Sequence, residues 1–350
     1  MVGAVTFAVP GDLATPTGGY AYDRRMIAEL ARLGWSVEVI NLGDGFPRPS
    51  SAARVSALTR LTAVERGQPI VIDGLAFGVL PEAAAQLRLN HPLVAVVHHP
   101  LALESGLGPA EAAALLASEQ MALSAASRIV TTSAATARGL VANYGVQADH
   151  IAIVPPGTDR AEAARPSTDG IVRLLAIGSI VPRKGYDVLI AALARLADLP
   201  WHLVIAGDRS RDPAAARRLD DDIQRCRLND RVCVLGAVSD ERIAELYAAA
   251  DLFVLASRFE GYGMVYSEAI MRGVPVVATT AGAISETVPS GAGVLVAPDD
   301  SVALALVLRR LIERREERRR LAAGARAAAE HLPTWQDSAK LFSRALEAVA

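Results

Sequence analysis

The chain has 350 residues, 51% of them hydrophobic and 21% charged, with a formal net charge of −2. At about 150 residues per domain this is enough for two domains, each with a large core. The near-neutral balance leaves no electrostatic footprint for nucleic acid, and no nucleic-acid-binding motif is present.

Residues 4–9 read as a buried strand, 10–19 as a loop, 20–33 as an amphipathic helix ended by Gly34, and 36–42 as a second strand. This is the opening of a Rossmann-like unit. Its loop carries Gly18-Gly19 directly before the helix, where a phosphate could reach the helix N-terminus, although a glycine pair also suits an ordinary turn. The missing G-x-G-x-x-G argues against a dinucleotide cofactor. No basic stretch and long apolar run precede this strand, and no segment approaches about 18 consecutive apolar residues, so a cytoplasmic protein is expected.

Strands are expected at 69–73, 93–97 and 128–132, the second followed at once by His98-His99-Pro100. A histidine pair in a loop can be a solvated or packed pair or a functional one. Ser133 is expected to cap the next helix. The PPGTD sequence at 155–159 and the Ala-, Arg- and Pro-rich tract to Gly170 break the periodic pattern and mark a linker.

A second strand-loop-helix series starts at 172–178. The loop Val181-Pro182-Arg183-Lys184-Gly185 brings two cations and a glycine to a helix start at Tyr186. Solvated charges at a turn would look the same. Yet the chain has only two lysines, Lys184 and Lys340, which hints that Lys184 serves as a compact ammonium. Strands follow at 201–206 and 232–235, the latter ending at Gly236-Ala237-Val238 before a helix at 240–249. Asp220-Asp221-Asp222 lies in a charged helical stretch with no glycine loop near it, so no metal site is expected there. Cys226 and Cys233 lack C-x-x-C spacing and a histidine cluster, and read as reduced, structural thiols without zinc.

Residues 252–279, LFVLASRFEGYGMVYSEAIMRGVPVVAT, read as strand, loop, helix and strand, with Gly273 ending the helix. Glu260 stands in the loop and Glu268 about one turn inside the helix. They can reach different parts of one elongated polar ligand, although helix-dipole compensation and an i,i+4 pair of Glu268 with Arg272 would also account for them. Ser301 is expected to cap a long helix with Leu304, Leu308, Leu311 and Ile312 on its inner face and the RREERRR run outside. An arginine-rich helix of this kind can associate weakly with a membrane surface. A last helix begins at Trp335.

The 252–279 stretch resembles the Glu-x7-Glu region of the retaining family-4 glycosyltransferases. The resemblance covers nearly the whole chain and is strongest over 172–296. It implies an α/β, GT-B architecture: two Rossmann-like domains with parallel sheets facing a central cleft. The domains would be an acceptor-side unit at 1–165 and a donor unit at 166–332, with a helix at 333–350 crossing back to the first. By the same resemblance Glu260 and the backbone of Gly261, Tyr262, Gly263 and Met264 hold the donor sugar, while Glu268 binds the ribose. Ala237 and Val238 contact the base through their backbone. Gly18 and Gly19 face the donor diphosphate, Gly178 belongs to the same site, and Arg183 with Lys184 assists departure of the nucleoside diphosphate. A histidine, His98 or His99, faces the sugar. The family's usual Gly-Arg has become Gly178-Ser179, and its usual Pro-Asn-Gly-Val-Asp hinge has become PPGTD. The activity implied is metal- and cofactor-independent transfer of a sugar from a nucleotide diphosphate sugar to an unidentified acceptor, a glycan, lipid-linked intermediate or small molecule, with retention. A nucleotide-sugar epimerase or an idle nucleotide-sugar-binding protein stays open as an alternative.

Overall fold

The computed structural model describes residues 3–165 and 167–349. The chain forms two compact units, one of residues up to Gly157 together with Pro333 onward, the other Thr158–Leu332. The expected boundary at 165/166 abuts Pro166, which lies outside the described residues. Before it, Ala164 N–H donates to Arg272 O and Arg165 N–H to Ala248 O, each at 2.8 Å. These bonds tie the PPGTD-proximal tract to the second unit.

In the first unit, β1 (Ala4–Val9), α1 (Gly18–Arg32), β2 (Ser36–Asn41), α2 (Ser51–Thr62) and β3 (Ile70–Asp73) are followed by α3 (Gly74–Phe77) and α4 (Pro81–Leu87). Then come β4 (Leu93–Val97), α5 (Pro109–Leu123), β5 (Arg128–Thr131), α6 (Ala134–Tyr144) and β6 (Ile151–Ile153). The strands form one parallel sheet in the order β2-β1-β3-β4-β5-β6. The β3 and β4 runs IVID and LVAVV are buried throughout, as strands covered on both faces must be. Gly18 and Gly19 prove to lie inside the first turn of α1 rather than before it, because Thr17 is the N-cap and accepts from Tyr20 N–H. Ser133 caps α6 as expected, accepting from Thr136 N–H at 3.1 Å.

The second unit runs β7 (Val172–Ile177), α7 (Tyr186–Ala194), β8 (Trp201–Ala206), α8 (Pro213–Arg225), β9 (Val232–Gly236), α9 (Asp240–Ala249), β10 (Leu252–Val254) and α10 (Met264–Met271). It ends with β11 (Val276–Thr279), α11 (Ile284–Thr287), β12 (Gly293–Val296), α12 (Ser301–Glu313) and α13 (Arg315–Ala329). Its parallel sheet has the order β12-β11-β10-β7-β8-β9. Strand order therefore reverses between β7 and β10. Crevices at such a reversal, outside the carboxyl ends of the strands, are where open α/β sheets bind ligands.

Two expectations for the C-terminal helices fail. Asp300, not Ser301, caps α12, because its carboxylate accepts from Val302 and Ala303 N–H. The RREERRR run does not line the outside of that helix: the chain breaks at Arg314 and the run opens α13. Arg318 turns back to donate to Leu311 O at 2.6 Å and Ile312 O at 2.9 Å, satisfying carbonyls that the end of α12 leaves free. The last helix, α14 (Trp335–Glu347), starts on a Thr334/Asp337 capping box. It packs in the first unit: Trp35 Nε1 donates to Ser343 Oγ at 2.9 Å, and Ser338 Oγ to Pro155 O at 2.6 Å. Among the described residues no helix is long and apolar enough to cross a membrane.

Candidate active site

The loop after β10 and the turn after β7 meet across the strand-order reversal of the second unit. Residues Pro182–Lys184 form a 3-10 turn ended by Gly185 at φ 64°. A Cβ on Gly185 would fall 2.0 Å from Ala256 O, so only glycine lets the turn press against the end of β10. Arg258 fastens the two segments: its N–H donates to Arg183 O at 2.7 Å, and its guanidinium bonds Pro182 O, Asp187 and Asp299.

This packing brings Lys184 Nζ to 2.7 Å from Glu260 Oε1 and Arg183 Nη1 to 3.2 Å from Oε2. Ser257 Oγ also donates to Oε1, at 2.6 Å. Glu260 is only 6% exposed. Burial would raise its pKa, but Lys184 and Arg183 outweigh that and bring it to about 2. Glu260 is thus a fixed anion. With two cations against it, the cluster keeps one net positive charge. Lys184 carries three N–H donors, and one of them goes to Glu260. Gly178 leaves space for the Lys184 stem, whose Cε would lie 3.1 Å from a Cβ placed there.

Gly261, Tyr262 and Gly263 lead into α10, which Met264 opens. Gly263, at φ 89°, is an N-cap without a side-chain hydrogen bond to the helix. The first-turn N–H groups of α10 therefore have no side-chain cap competing for them, the arrangement that suits anionic ligands. Inside α10, Glu268 is half-buried and accepts from Tyr247 Oη at 3.0 Å. Burial raises its pKa, and the Tyr247 bond and Arg272 oppose the rise. Arg272 does not form the surface pair that spacing allows: its Nη1 donates to Glu268 backbone O at 3.0 Å and its guanidinium lies over the Tyr247 ring. Ala237 and Val238 occupy the turn between β9 and α9, after Gly236 at φ 74°.

In the first unit, Gly19 packs against His98: a Cβ there would lie 3.2 Å from His98 Cδ2. His98 follows β4, and its Nε2 lies 3.1 Å from Asp23 Oδ1 and 3.5 Å from Asp73 Oδ2. Asp23, on α1, is 0% exposed and Asp73, the last residue of β3, 1%. The Tyr22 ring meets His98 edge-on at 5.1 Å. Burial raises the Asp23 carboxyl to about 7, against the pull of His98 and with a further push from Asp73. Burial also opposes charge on His98, yet the two carboxyls outweigh it and lift the imidazole to about 10. His99 is placed otherwise, its Nε2 3.7 Å from Glu104 Oε2.

Sequence reading passed over Asp23 and Asp73, although each left a signal. Asp23 interrupts the apolar face of α1 between Tyr22 and Met26, and Asp73 ends a wholly buried strand. Among the described residues these two acids and His98 form a group able to hold a metal ion, with ligand atoms within 4.8 Å of one another. The aspartates at 220–222 look outward instead: Asp220 pairs with Arg209 at 2.5 Å and Asp222 with Arg225 at 2.6 Å.

Known proteins bear on this geometry. Residues 158–328 match the model of the glycosyl transferases group 1 family, and 18–162 that of glycosyltransferase family 4. The chain is 34% identical over 274 residues to a D-inositol 3-phosphate glycosyltransferase of Xylanimonas cellulosilytica, covering 72% of this chain and 65% of that protein. Against an MMP alpha-(1->4)-mannosyltransferase of Mycolicibacterium hassiacum it is 30% identical over 332 residues, 87% of this chain and 77% of the relative. The crystal structure of Anabaena Alr3699/HepE in complex with UDP-glucose superposes with a TM-score of 0.78 at 21% identity, covering 98% of this chain and 99% of that one. The matched segment thus spans just under two thirds of the first relative's length and more than three quarters of the second's. The chain belongs to the GT-B glycosyltransferase family.

Proposed function

We propose that the protein transfers a sugar from a nucleoside diphosphate sugar to an acceptor hydroxyl with retention at the anomeric carbon. The observation that carries this reading is the Glu260–Lys184–Arg183 cluster, buried at the strand-order reversal and still carrying one net positive charge. A diphosphate leaving group needs charge neutralised as the glycosidic bond breaks, and preorganised cations in a buried site do this without reorganisation. Lys184 and Arg183 fill that role, helped by the helix start at Gly263. Glu260, held ionised by its partners, serves as an acceptor for sugar hydroxyls and not as a proton donor. Glu268, oriented by Tyr247, accepts from the ribose hydroxyls. No protein nucleophile is required if the departing phosphate takes the acceptor's proton on the same face. The first unit would hold the acceptor. Neither a metal nor a cofactor enters this scheme.

The test is thermal stabilisation by UDP, GDP, ADP and NAD, on wild type and on Glu268→Ala. UDP belongs in the panel because the similar Anabaena chain was crystallised with UDP-glucose. A nucleoside diphosphate at about 100 times its Kd should add about 2.7 kcal/mol of stability to wild type, and the variant should lose most of it. Stabilisation by NAD alone, or by no nucleotide, would sink the reading.

A further inference from the structure

The second unit holds a cavity of about 440 Å³ that the candidate active site does not use. It lies at the opposite edge of the sheet. Ala250 and Asp251 directly precede β10 and Pro275 directly precedes β11, so the cavity sits at the amino ends of strands whose carboxyl ends face the Glu260 cluster. Four arginines of α13, Arg315, Arg318, Arg319 and Arg326, line it, and Asp251 is the one acid among the described lining residues. Two glycines bring α13 this close. A Cβ on Gly324 would fall 2.0 Å from Gly291 O, and one on Gly273 would fall 2.8 Å from Arg326 Cγ, so the Arg326 stem lies over the end of α10.

The positive charge here is poorly matched. Asp251 is 6% exposed and its carboxylate is already engaged: Oδ1 accepts from Ser167 N–H at 3.0 Å, and Oδ2 from Ser167 Oγ and Arg173 N–H, each at 2.8 Å. Arg319 pairs with Glu316 at 2.8 Å on the exposed side of the helix, and Glu317 faces Arg310 at 3.1 Å. Arg318 gives Nη1 to the carbonyls of Leu311 and Ile312. Burial lowers its pKa, Asp251 opposes that, and Arg315 and Arg319 lower it further. Among the described residues Arg315 and Arg326 form neither a hydrogen bond nor an ion pair. Like charges gathered round a recess repel one another, and an entering anion relieves that repulsion. Guanidinium forks bind phosphate oxygens two at a time. The backbone adds to this, since Arg314 caps α13 without a side-chain hydrogen bond. The cavity has the size of a small-molecule site, which a compact ligand fills and a flat membrane surface does not.

We propose that this cavity is a second anion site, separate from the candidate active site, which takes the phosphate group of a small phosphorylated molecule among Arg315, Arg318, Arg319 and Arg326. The inference stands apart from the transferase reading, because none of these residues belongs to the Glu260 cluster or the loop after β10.

The experiment is a titration of the full chain with inorganic pyrophosphate, followed by calorimetry and by the arginine Nε–H NMR signals. The Arg315 and Arg326 signals are assigned by their loss in Arg315→Gln and Arg326→Gln. Both side chains are exposed, so these variants should fold as wild type does. Pyrophosphate should shift both signals in wild type, and each substitution should weaken the event about tenfold, the scale of one lost charge-assisted hydrogen bond. Lys184→Gln, at the other edge of the sheet, should leave it in place. The proposal is overturned if the Arg315 and Arg326 signals stay still while calorimetry shows binding that Lys184→Gln removes. Equal shifts with potassium chloride at matched ionic strength would also overturn it, since they would show a loose ion atmosphere. So would binding to anionic phospholipid vesicles that depends on these arginines, with no response to pyrophosphate. The wild-type shifts decide the matter even if Lys184→Gln does not fold, and they do so whether or not any nucleotide stabilises the protein.

Discussion

The two units each bury a cluster of charged groups at the carboxyl edge of a parallel sheet, with opposite stoichiometry. In the second unit one acid, Glu260, meets two permanent cations, and its pKa drops to about 2. In the first unit two acids meet one titratable base. There Asp23 rises to about 7 and His98 to about 10, so the group settles its charge by sharing protons. Burial is similar in the two places; the ratio of partners decides whether an acid becomes a fixed charge or a proton store. A fixed charge suits holding cations ready for a diphosphate, and a proton-bearing group suits donating to a neutral hydroxyl.

The largest effect expected follows from removing the single anion of the first kind of cluster. Glu260→Ala leaves Lys184 and Arg183 half-buried without their shared partner, and breaking a buried pair in this way typically costs about 3–5 kcal/mol. Urea unfolding should show a loss of that order, together with loss of sugar transfer. A variant as stable as wild type would mean that water or another group already screens the two cations. Next in size is the ligand effect at Glu268: the loss, in Glu268→Ala, of most of the about 2.7 kcal/mol that a saturating nucleoside diphosphate contributes.

The pH dependence of stability should also divide between the clusters. Glu260 has its pKa depressed in the folded state, so its contribution is present above about pH 4.5 and is lost as pH falls toward about 2. His98 has its pKa raised, so its contribution is full below about 6.5 and is lost as pH rises toward about 10. Asp23, also raised, opposes stability from about pH 3.8 and does so in full above about 7, because ionising it is harder in the fold than in the unfolded chain. Glu260→Gln should therefore flatten the acid limb of the stability profile, and His98→Gln the alkaline one. Denaturant midpoints measured across the pH range check both, and an alkaline limb untouched by His98→Gln would remove the contrast between the clusters.

The parts of this arrangement that sequence revealed are those written in local pattern. Apolar runs of strand length gave the two sheets, and the Glu260-to-Glu268 stretch, with its glycine corner and flanking strands, marked the loop after β10 as a candidate site. Lys184 was visible as one of two lysines in a chain otherwise supplied with arginine. What stayed hidden depends on residues distant in sequence meeting in space. Asp23, Asp73 and His98 come from three separate elements, and no spacing rule links them. The choice between His98 and His99 needed the side-chain directions after β4. The break at Arg314 was obscured because continuous helical composition runs through it, and only the return of Arg318 to the carbonyls of α12 explains the stop.

The smallest expected effect is the most direct probe of the contrast. Glu260 cannot be neutralised without stranding cations, but Asp23 can, because Asp73 remains to balance His98. The ligand atoms of Asp23, Asp73 and His98 lie within 4.8 Å of one another, so a protonated Asp23 can direct its proton toward Asp73. Asparagine reproduces that neutral donor with its side-chain amide, while its carbonyl oxygen still accepts from His98 Nε2–H. Asp23→Asn should therefore leave stability near about pH 3.8, where the unfolded aspartate is still largely protonated, within about 1 kcal/mol of wild type, the scale of one exchanged hydrogen bond. It should also remove the destabilisation that the raised Asp23 pKa builds up as pH climbs from about 3.8 to about 7. A loss as large as that from Glu260→Ala would show instead that Asp23 is a fixed charge near neutral pH, and that the two clusters follow one electrostatic rule.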